Sequence, residues 1–200
     1  MDYRLYHAVN TFVFHHAWLG RAGGAFEKWA VPVYAVATIA LWLLARPGAR
    51  SRWKLACSSA LASAALALLL NQVIGKFWDR PRPFAAHPGA HVWGSRSHDP
   101  SFPSDHSAAA FAIAFAVFFF DRLVGSLFLV AALLITVGRV LVGAHYPVDV
   151  AAGLIVGLAA AVIVVRLGRP LLSPLVGLLS RLTDPLLAPL WRVAARSPRS

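Results

Sequence analysis

Five stretches of this chain are almost free of polar side chains: residues 29–44, 55–74, 108–120, 124–142 and 148–165. About 20 apolar residues in a helix cross the hydrocarbon core of a bilayer, so each stretch is expected to be a membrane span. The polar positions are grouped between them. Residues 46–54 hold four basic side chains and no acid, and residues 76–100 form a proline-rich loop without apolar periodicity. Residues 1–24 follow another pattern. Tyr3, Leu5, Tyr6, Val9, Phe12, Val13, Trp18 and Leu19 recur at mixed intervals of three and four, which predicts an amphipathic helix on the membrane surface. Gly23-Gly24 is expected to end it. After residue 165 the chain is basic, and Pro170, Pro174, Pro185 and Pro189 are expected to break it into interfacial segments rather than a sixth span.

The expected fold is therefore all-α, a polytopic membrane helix bundle of five to six transmembrane helices in a single domain. Residues 1–24 supply the interfacial helix, 29–165 the transmembrane bundle and 166–200 the basic tail. Composition agrees: hydrophobic residues make up 58% and charged residues 14%, so a soluble core is excluded as the destination of so much apolar chain. The net charge of +11 would suit a nucleic-acid partner, but the bases flank apolar runs, which fits membrane topology and anionic headgroups. No nucleic-acid partner is expected, and oligomeric state is not legible. Cys57 is the single cysteine, which leaves no disulfide pair within these 200 residues.

With five spans, eleven bases fall on one side of the membrane beside Asp121 and Asp184, and eight fall on the other beside six acids. Bases mark the cytoplasmic side. The loop 76–100 and the stretch that follows it are thus expected to face the periplasm or cell exterior.

Three chemistry-bearing stretches converge on that outer side. The first contains Lys76 and the run Arg80-Pro81-Arg82-Pro83-Phe84. The second is Ser101-Phe102-Pro103-Ser104-Asp105-His106, just before an apolar helix. The third runs from Gly138-Arg139 to His145 and Asp149. Ser104 is expected to cap the helix through its hydroxyl, leaving the N–H groups of Asp105 and His106 as an anion site at the positive end of the helix dipole. Lys76, Arg82 and Arg139 offer cations for phosphate oxygens, and an arginine inside an apolar run suggests function. Asp149 is four residues after His145, so its carboxylate is expected to reach one ring nitrogen and leave the other free as a nucleophile. His106 would protonate the leaving oxygen and then activate water, with no metal or other cofactor. Such a pair implies a bell-shaped pH dependence.

On these residues the chain resembles the type 2 phosphatidic acid phosphatase (PAP2) superfamily of membrane lipid phosphatases. Lys76, Arg82 and Pro83 are similar to its first motif, Pro103, Ser104 and His106 to its second, and Arg139, His145 and Asp149 to its third, over roughly residues 70–160. The resemblance implies a six-helix-like bundle, metal independence, and the catalytic roles of His145, His106 and Asp149, with Lys76, Arg82, Ser104, Asp105 and Arg139 at the phosphate. The chain departs from the pattern in three ways. One residue fewer separates Lys76 from Arg82, Gly138 replaces a serine, and Asp105 replaces a glycine, so the Asp105 carboxylate is expected to turn away from the phosphate. Arg80 reads equally as a surface charge. The runs Arg-Pro-Arg-Pro-Phe and Ser-Phe-Pro-Ser-Asp-His are similar to the bacterial undecaprenyl-diphosphate phosphatase branch. That implies a polyprenyl diphosphate substrate in the inner membrane and a part in cell-wall synthesis. A phosphatidic acid or phosphatidylglycerophosphate phosphatase is the alternative within the class, and a non-catalytic lipid-phosphate-binding protein the alternative outside it. His87, His91, His98 and Asp99 raise a metal-site reading, but their spacing fits no common zinc pattern. Phe77, Trp78, Phe84 and Trp93 are expected to be interface aromatics.

Overall fold

The computed structural model describes residues 2–44, 51–94 and 96–196. The counted bases Arg46, Arg50 and Arg199 lie outside them. Every regular element among the described residues is helical: α1 (Asp2–His15), α2 (Ala17–Leu44), α3 (Ser51–Phe77), α4 (Pro83–Ala86), α5 (Asp105–Phe120), α6 (Arg122–Leu141), α7 (Pro147–Val162), a π-helical segment (Ile163–Gly168) and α8 (Arg169–Arg196). Four helical stretches are long and apolar enough to cross a membrane: Ala17–Leu44, Arg52–Phe77, Arg122–Leu141 and Pro147–Pro189.

The remaining expected span, 108–120, lies in α5, an apolar helix of 16 residues and about 24 Å, shorter than the ~30 Å hydrocarbon core. It is the axis of the bundle. Ala108, Ala110, Ala112, Ala114 and Ala116 are wholly buried, and α3, α6 and α7 surround the helix. Its alternation of Ala with Phe and Ile gives it no polar face, which suits an element with neighbours on all sides. Small residues on α7 let the two backbones close up. A Cβ on Gly157 would meet the Ala108 carbonyl oxygen at 2.6 Å, and one on Gly153 would meet that of Ser104 at 2.7 Å. This contact presses the start of α5 against the start of α7, where the second and third motifs lie.

Two expected boundaries move. Gly23-Gly24 does not end the first helix; the chain turns at His16, and α2 runs through the glycines and through Pro32. The reason is tertiary. A Cβ on Gly20 would lie 2.3 Å from the Trp93 ring, and one on Gly24 would lie 2.4 Å from the Trp93 carbonyl oxygen. The glycines make room for the 76–100 loop, and Trp93 is packed there rather than spread on the interface. Nor do prolines break the tail: Pro174, Pro185 and Pro189 lie inside α8. All three are on its exposed side, while Val176 and Trp191 are buried on the other. Each proline costs one helix hydrogen bond, and the packed face carries the helix across the gap.

Candidate active site

The turn after α6 delivers the first functional side chain. Gly143 has φ +79°, a left-handed conformation that favours glycine, and a Cβ there would meet the His91 carbonyl oxygen at 2.2 Å. Two residues later His145 is 1% exposed. Its Nδ1 lies 2.8 Å from the Ser101 carbonyl oxygen, which can only accept, so Nδ1 carries the hydrogen and Nε2 keeps its lone pair. Arg82 Nη1 is 3.2 Å from that Nε2 and 3.4 Å from the Ala144 carbonyl oxygen, and Arg82 Nε donates to the Asp99 carbonyl at 3.0 Å. Burial pushes the imidazole down to about 4; Asp149 opposes that shift, and the charges of Arg139 and Arg82 add to it.

Asp149 is fully buried near the start of α7, but it does not bond the ring directly as expected. Its Oδ2 is 3.8 Å from His145 Nδ1. Ser101 stands between them: its carbonyl holds the ring, and its hydroxyl donates to Asp149 Oδ2 at 2.5 Å. That oxygen also accepts from the Tyr146 N–H at 2.9 Å, and Oδ1 accepts from Arg80 Nη1 at 2.6 Å. Arg80 is therefore no plain surface charge.

Ser104 occupies the N-cap position of α5, yet its side chain makes no capping bond. Its hydroxyl is buried and has no hydrogen-bond partner among the described residues. A polar atom left in that state is costly unless something else binds it. Arg139, 4% exposed on α6, shares the condition in part. Its Nη1 is ion-paired with Glu27 on α2, while its Nε has no partner. His106, on the first turn of α5, is half-buried and lies within electrostatic range of His145, Arg82 and Arg139. Its ring makes no hydrogen bond among the described residues.

The Asp105 carboxylate is held by Asn71 on α3 through an Nδ2–Oδ1 bond of 2.8 Å. Lys76 is exposed on the wall of an open cleft of about 320 Å³, shared with Asn71, Asp79, Asp99 and Asp105. The structure thus brings together His145, His106, Asp149, Arg82, Ser104 and Arg139, with Asp105 at the edge and Lys76 on the approach.

Four further residues matter that the sequence did not single out. Ser101, Asn71, Glu27 and Asp2 read in the sequence as ordinary polar residues beside apolar runs. Their only sequence signal is polarity at the ends of apolar runs, which many idle residues share. Of the loop histidines, His87 packs on Tyr3 and His91 on Phe14, each at 3.8 Å between ring centroids. Among the described residues no three His, Cys, Asp or Glu side chains gather as a metal site.

The sequence profile of the PAP2 superfamily matches residues 56–171, more than half of the chain. Over 184 residues the chain is 32% identical to the undecaprenyl-diphosphatase BcrC of Bacillus subtilis (strain 168), covering 92% of each protein. It is 29% identical over 159 residues to the putative undecaprenyl-diphosphatase YbjG of Escherichia coli (strain K12), covering 79% of this chain and 78% of the relative. The crystal structure of Aquifex aeolicus LpxE is similar in fold, with a TM-score of 0.57 at 23% identity over 81% of this chain and 93% of that one. Apolar helices of spanning length, three motifs drawn to one end of them and a family profile across all three lead to one conclusion: the chain is an integral membrane protein and belongs to the PAP2 superfamily.

Proposed function

We propose that this protein hydrolyses undecaprenyl (polyprenyl) diphosphate to the monophosphate and inorganic phosphate, at the outer face of a bacterial inner membrane. The observation that carries the mechanism is the state of His145. Its Nδ1–H is spent on Ser101, so the ring atom with a lone pair to attack is Nε2, which accepts from Arg82 Nη1 at 3.2 Å in the empty site. Nε2 attacks the terminal phosphorus while the bond to the bridging oxygen breaks, giving a phosphohistidine and the lipid monophosphate. His106, held neutral in the free enzyme by burial that pushes it down to about 3, takes up a proton as the anionic diphosphate binds and delivers it to the leaving oxygen. Asp149, through Ser101, stabilises the positive charge on the ring. In the second step His106 takes a proton from water as the water attacks phosphorus, and inorganic phosphate leaves with Nε2 restored. Arg82, the unpaired Arg139 Nε, the idle Ser104 hydroxyl and the Asp105 and His106 N–H groups meet the equatorial oxygens, where charge spreads in the transition state. Lys76 meets the diphosphate as it enters. No step uses a metal. The outward orientation rests on the distribution of bases, and the substrate on likeness to BcrC and YbjG.

The test is phosphate release from undecaprenyl diphosphate in detergent with EDTA, for wild type and His145→Ala, with phosphatidic acid as a second substrate. Activity that resists EDTA and vanishes in the variant is expected. Undiminished activity in His145→Ala overturns the nucleophile. Loss of wild-type activity in EDTA overturns the metal-free mechanism, and preference for phosphatidic acid overturns the substrate. Binding without turnover would make the chain a lipid-phosphate-binding protein.

A further inference from the structure

The N-terminal helix reaches into the catalytic end. Asp2, Tyr6, Asn10 and Val13 are spaced four, four and three apart and share one face of α1. Tyr6 donates its hydroxyl to the Gly143 carbonyl at 3.3 Å. Asn10 exchanges two hydrogen bonds with the His91 backbone, at 2.7 and 2.9 Å. At the tip, Asp2 Oδ1 accepts from the Val148 N–H at 3.1 Å, and Asp2 Oδ2 accepts from Arg80 Nη2 at 2.7 Å. The same guanidinium gives its other arm to Asp149 and lies 3.9 Å from the centre of the Tyr146 ring. A planar fork fixed between two carboxylates and over an aromatic ring has spent its specific geometry; little of it remains for a phosphate.

We propose that Arg80 and Asp2 are positioning residues for Asp149, so that the N-terminal helix is a working part of the active site. A continuous chain runs from Asp2 through Arg80, Asp149 and Ser101 to His145, each link a hydrogen bond. Asp149 is fully buried, and Arg80 is the side chain that holds its Oδ1. Without that fork Oδ1 is buried with no partner, and only the bonds from Ser101 and Tyr146 to Oδ2 hold the carboxylate. Ser101, and the histidine ring it holds, then lose their fixed angle. Asp2 acts one step further back, by holding the other arm of the Arg80 fork. The proposal rests on His145 as the nucleophile.

The experiment measures kcat, KM and thermal unfolding in detergent for Arg80→Gln, Arg80→Lys, Asp2→Asn and the Asp2→Asn/Arg80→Gln pair. Wild type and His145→Ala are run beside them, on whichever lipid phosphate wild type turns over best. Arg80→Gln is expected to lower kcat about 100-fold, the scale of a small misplacement of reacting groups, with KM changed less than about threefold. Arg80→Lys keeps the charge but not the fork, and is expected to be as slow. Asp2→Asn is expected to lower kcat about tenfold and to add nothing once Arg80 is gone, since linked groups are not additive. Asp2 is at the partly exposed edge of the cluster, so this variant carries the test if Arg80→Gln does not fold. A raised KM with normal kcat in Arg80→Gln, restored by lysine, would overturn the proposal and make Arg80 a phosphate ligand. Additive losses would overturn it too. An inactive His145→Ala beside an unimpaired Asp2→Asn overturns the positioning role alone; an active His145→Ala overturns the mechanism and the positioning role together.

Discussion

Two buried cations sit at opposite ends of the bundle, and the protein treats them differently. Lys54, 2% exposed near the start of α3, pairs with Asp184 on α8. The rings of Trp42 and Trp191 close over it at 4.8 and 5.4 Å. Both tryptophans are anchored in turn: Trp42 donates to Ser58 at 3.0 Å and Trp191 to the Leu43 carbonyl at 3.1 Å. That ammonium ties three helices and is enclosed by what it ties. Arg139 also has an acid, Glu27, but its Nε is left without a partner, and at the same end of the bundle so is the Ser104 hydroxyl. Burial and charge are common to the two sites. Unspent hydrogen-bonding capacity distinguishes them, and it marks the end where a ligand belongs.

The sharpest way to break this comparison is to neutralise each cation. Arg139→Gln is expected to lower kcat/KM by roughly 100- to 1,000-fold, the usual loss for one donor to a developing oxyanion. Lys54→Met is expected to leave kcat/KM within about twofold, because Lys54 is about 33 Å from Lys76 along α3. Steady-state phosphate release from the two variants decides between these outcomes. Comparable losses would mean that buried charge at either end matters for the same reason.

Glu27→Gln is expected to have the next largest effect. It removes the charge that orients Arg139 while keeping the size of the side chain, and it leaves Arg139 buried without its counter-ion. We expect kcat/KM to fall about tenfold, the loss of one aligned group through its neighbour rather than the group itself. If Glu27 merely neutralises charge, the same variant should bind inorganic phosphate more tightly and turn over normally, which phosphate inhibition constants would show. At the other end, Asp184→Asn is expected to lower the midpoint of thermal inactivation by a few degrees and spare activity. Asp184 is partly exposed, so the cost is smaller than for a fully buried pair.

The difference between the two ends also explains what could be read from the sequence. The apolar runs placed the spans, because a bilayer imposes length and hydrophobicity on each helix separately. His106, His145 and Asp149 were legible because the chemistry fixes their types and local spacing. What Asp149 touches was not. Ser101 comes between it and His145 because of how the loop before α5 meets the start of α7, a contact across 48 residues. Glu27 was hidden for a similar reason: an acid beside Lys28 at the mouth of a span is an ordinary flank until α2 and α6 pack together. The α1–α2 boundary and the unbroken α8 were missed because Gly23-Gly24 and the prolines were judged by local propensity, whereas Trp93 and the buried face of α8 decide the outcome.

The smallest expected effect is electrostatic, and it compares the two cations without relying on the size of the activity loss. His145 must be neutral to attack, and in the free enzyme its value is held at about 4 by burial and by the charges of Arg139 and Arg82, against the opposing Asp149. The ring is therefore neutral above that value and loses its lone pair to a proton below it, which sets the acid limb of kcat/KM. Removing a positive charge near the ring makes its protonated form less unfavourable, so the histidine value rises. Arg139→Gln should thus move the acid limb of the residual rate to higher pH, towards the ordinary histidine value of about 6.5. Lys54→Met removes the same charge at the far end and should leave the limb where wild type has it. A limb that stays fixed in Arg139→Gln would mean that the Arg139 charge does not reach the ring, and the contrast between the two cations would then rest on hydrogen bonding alone.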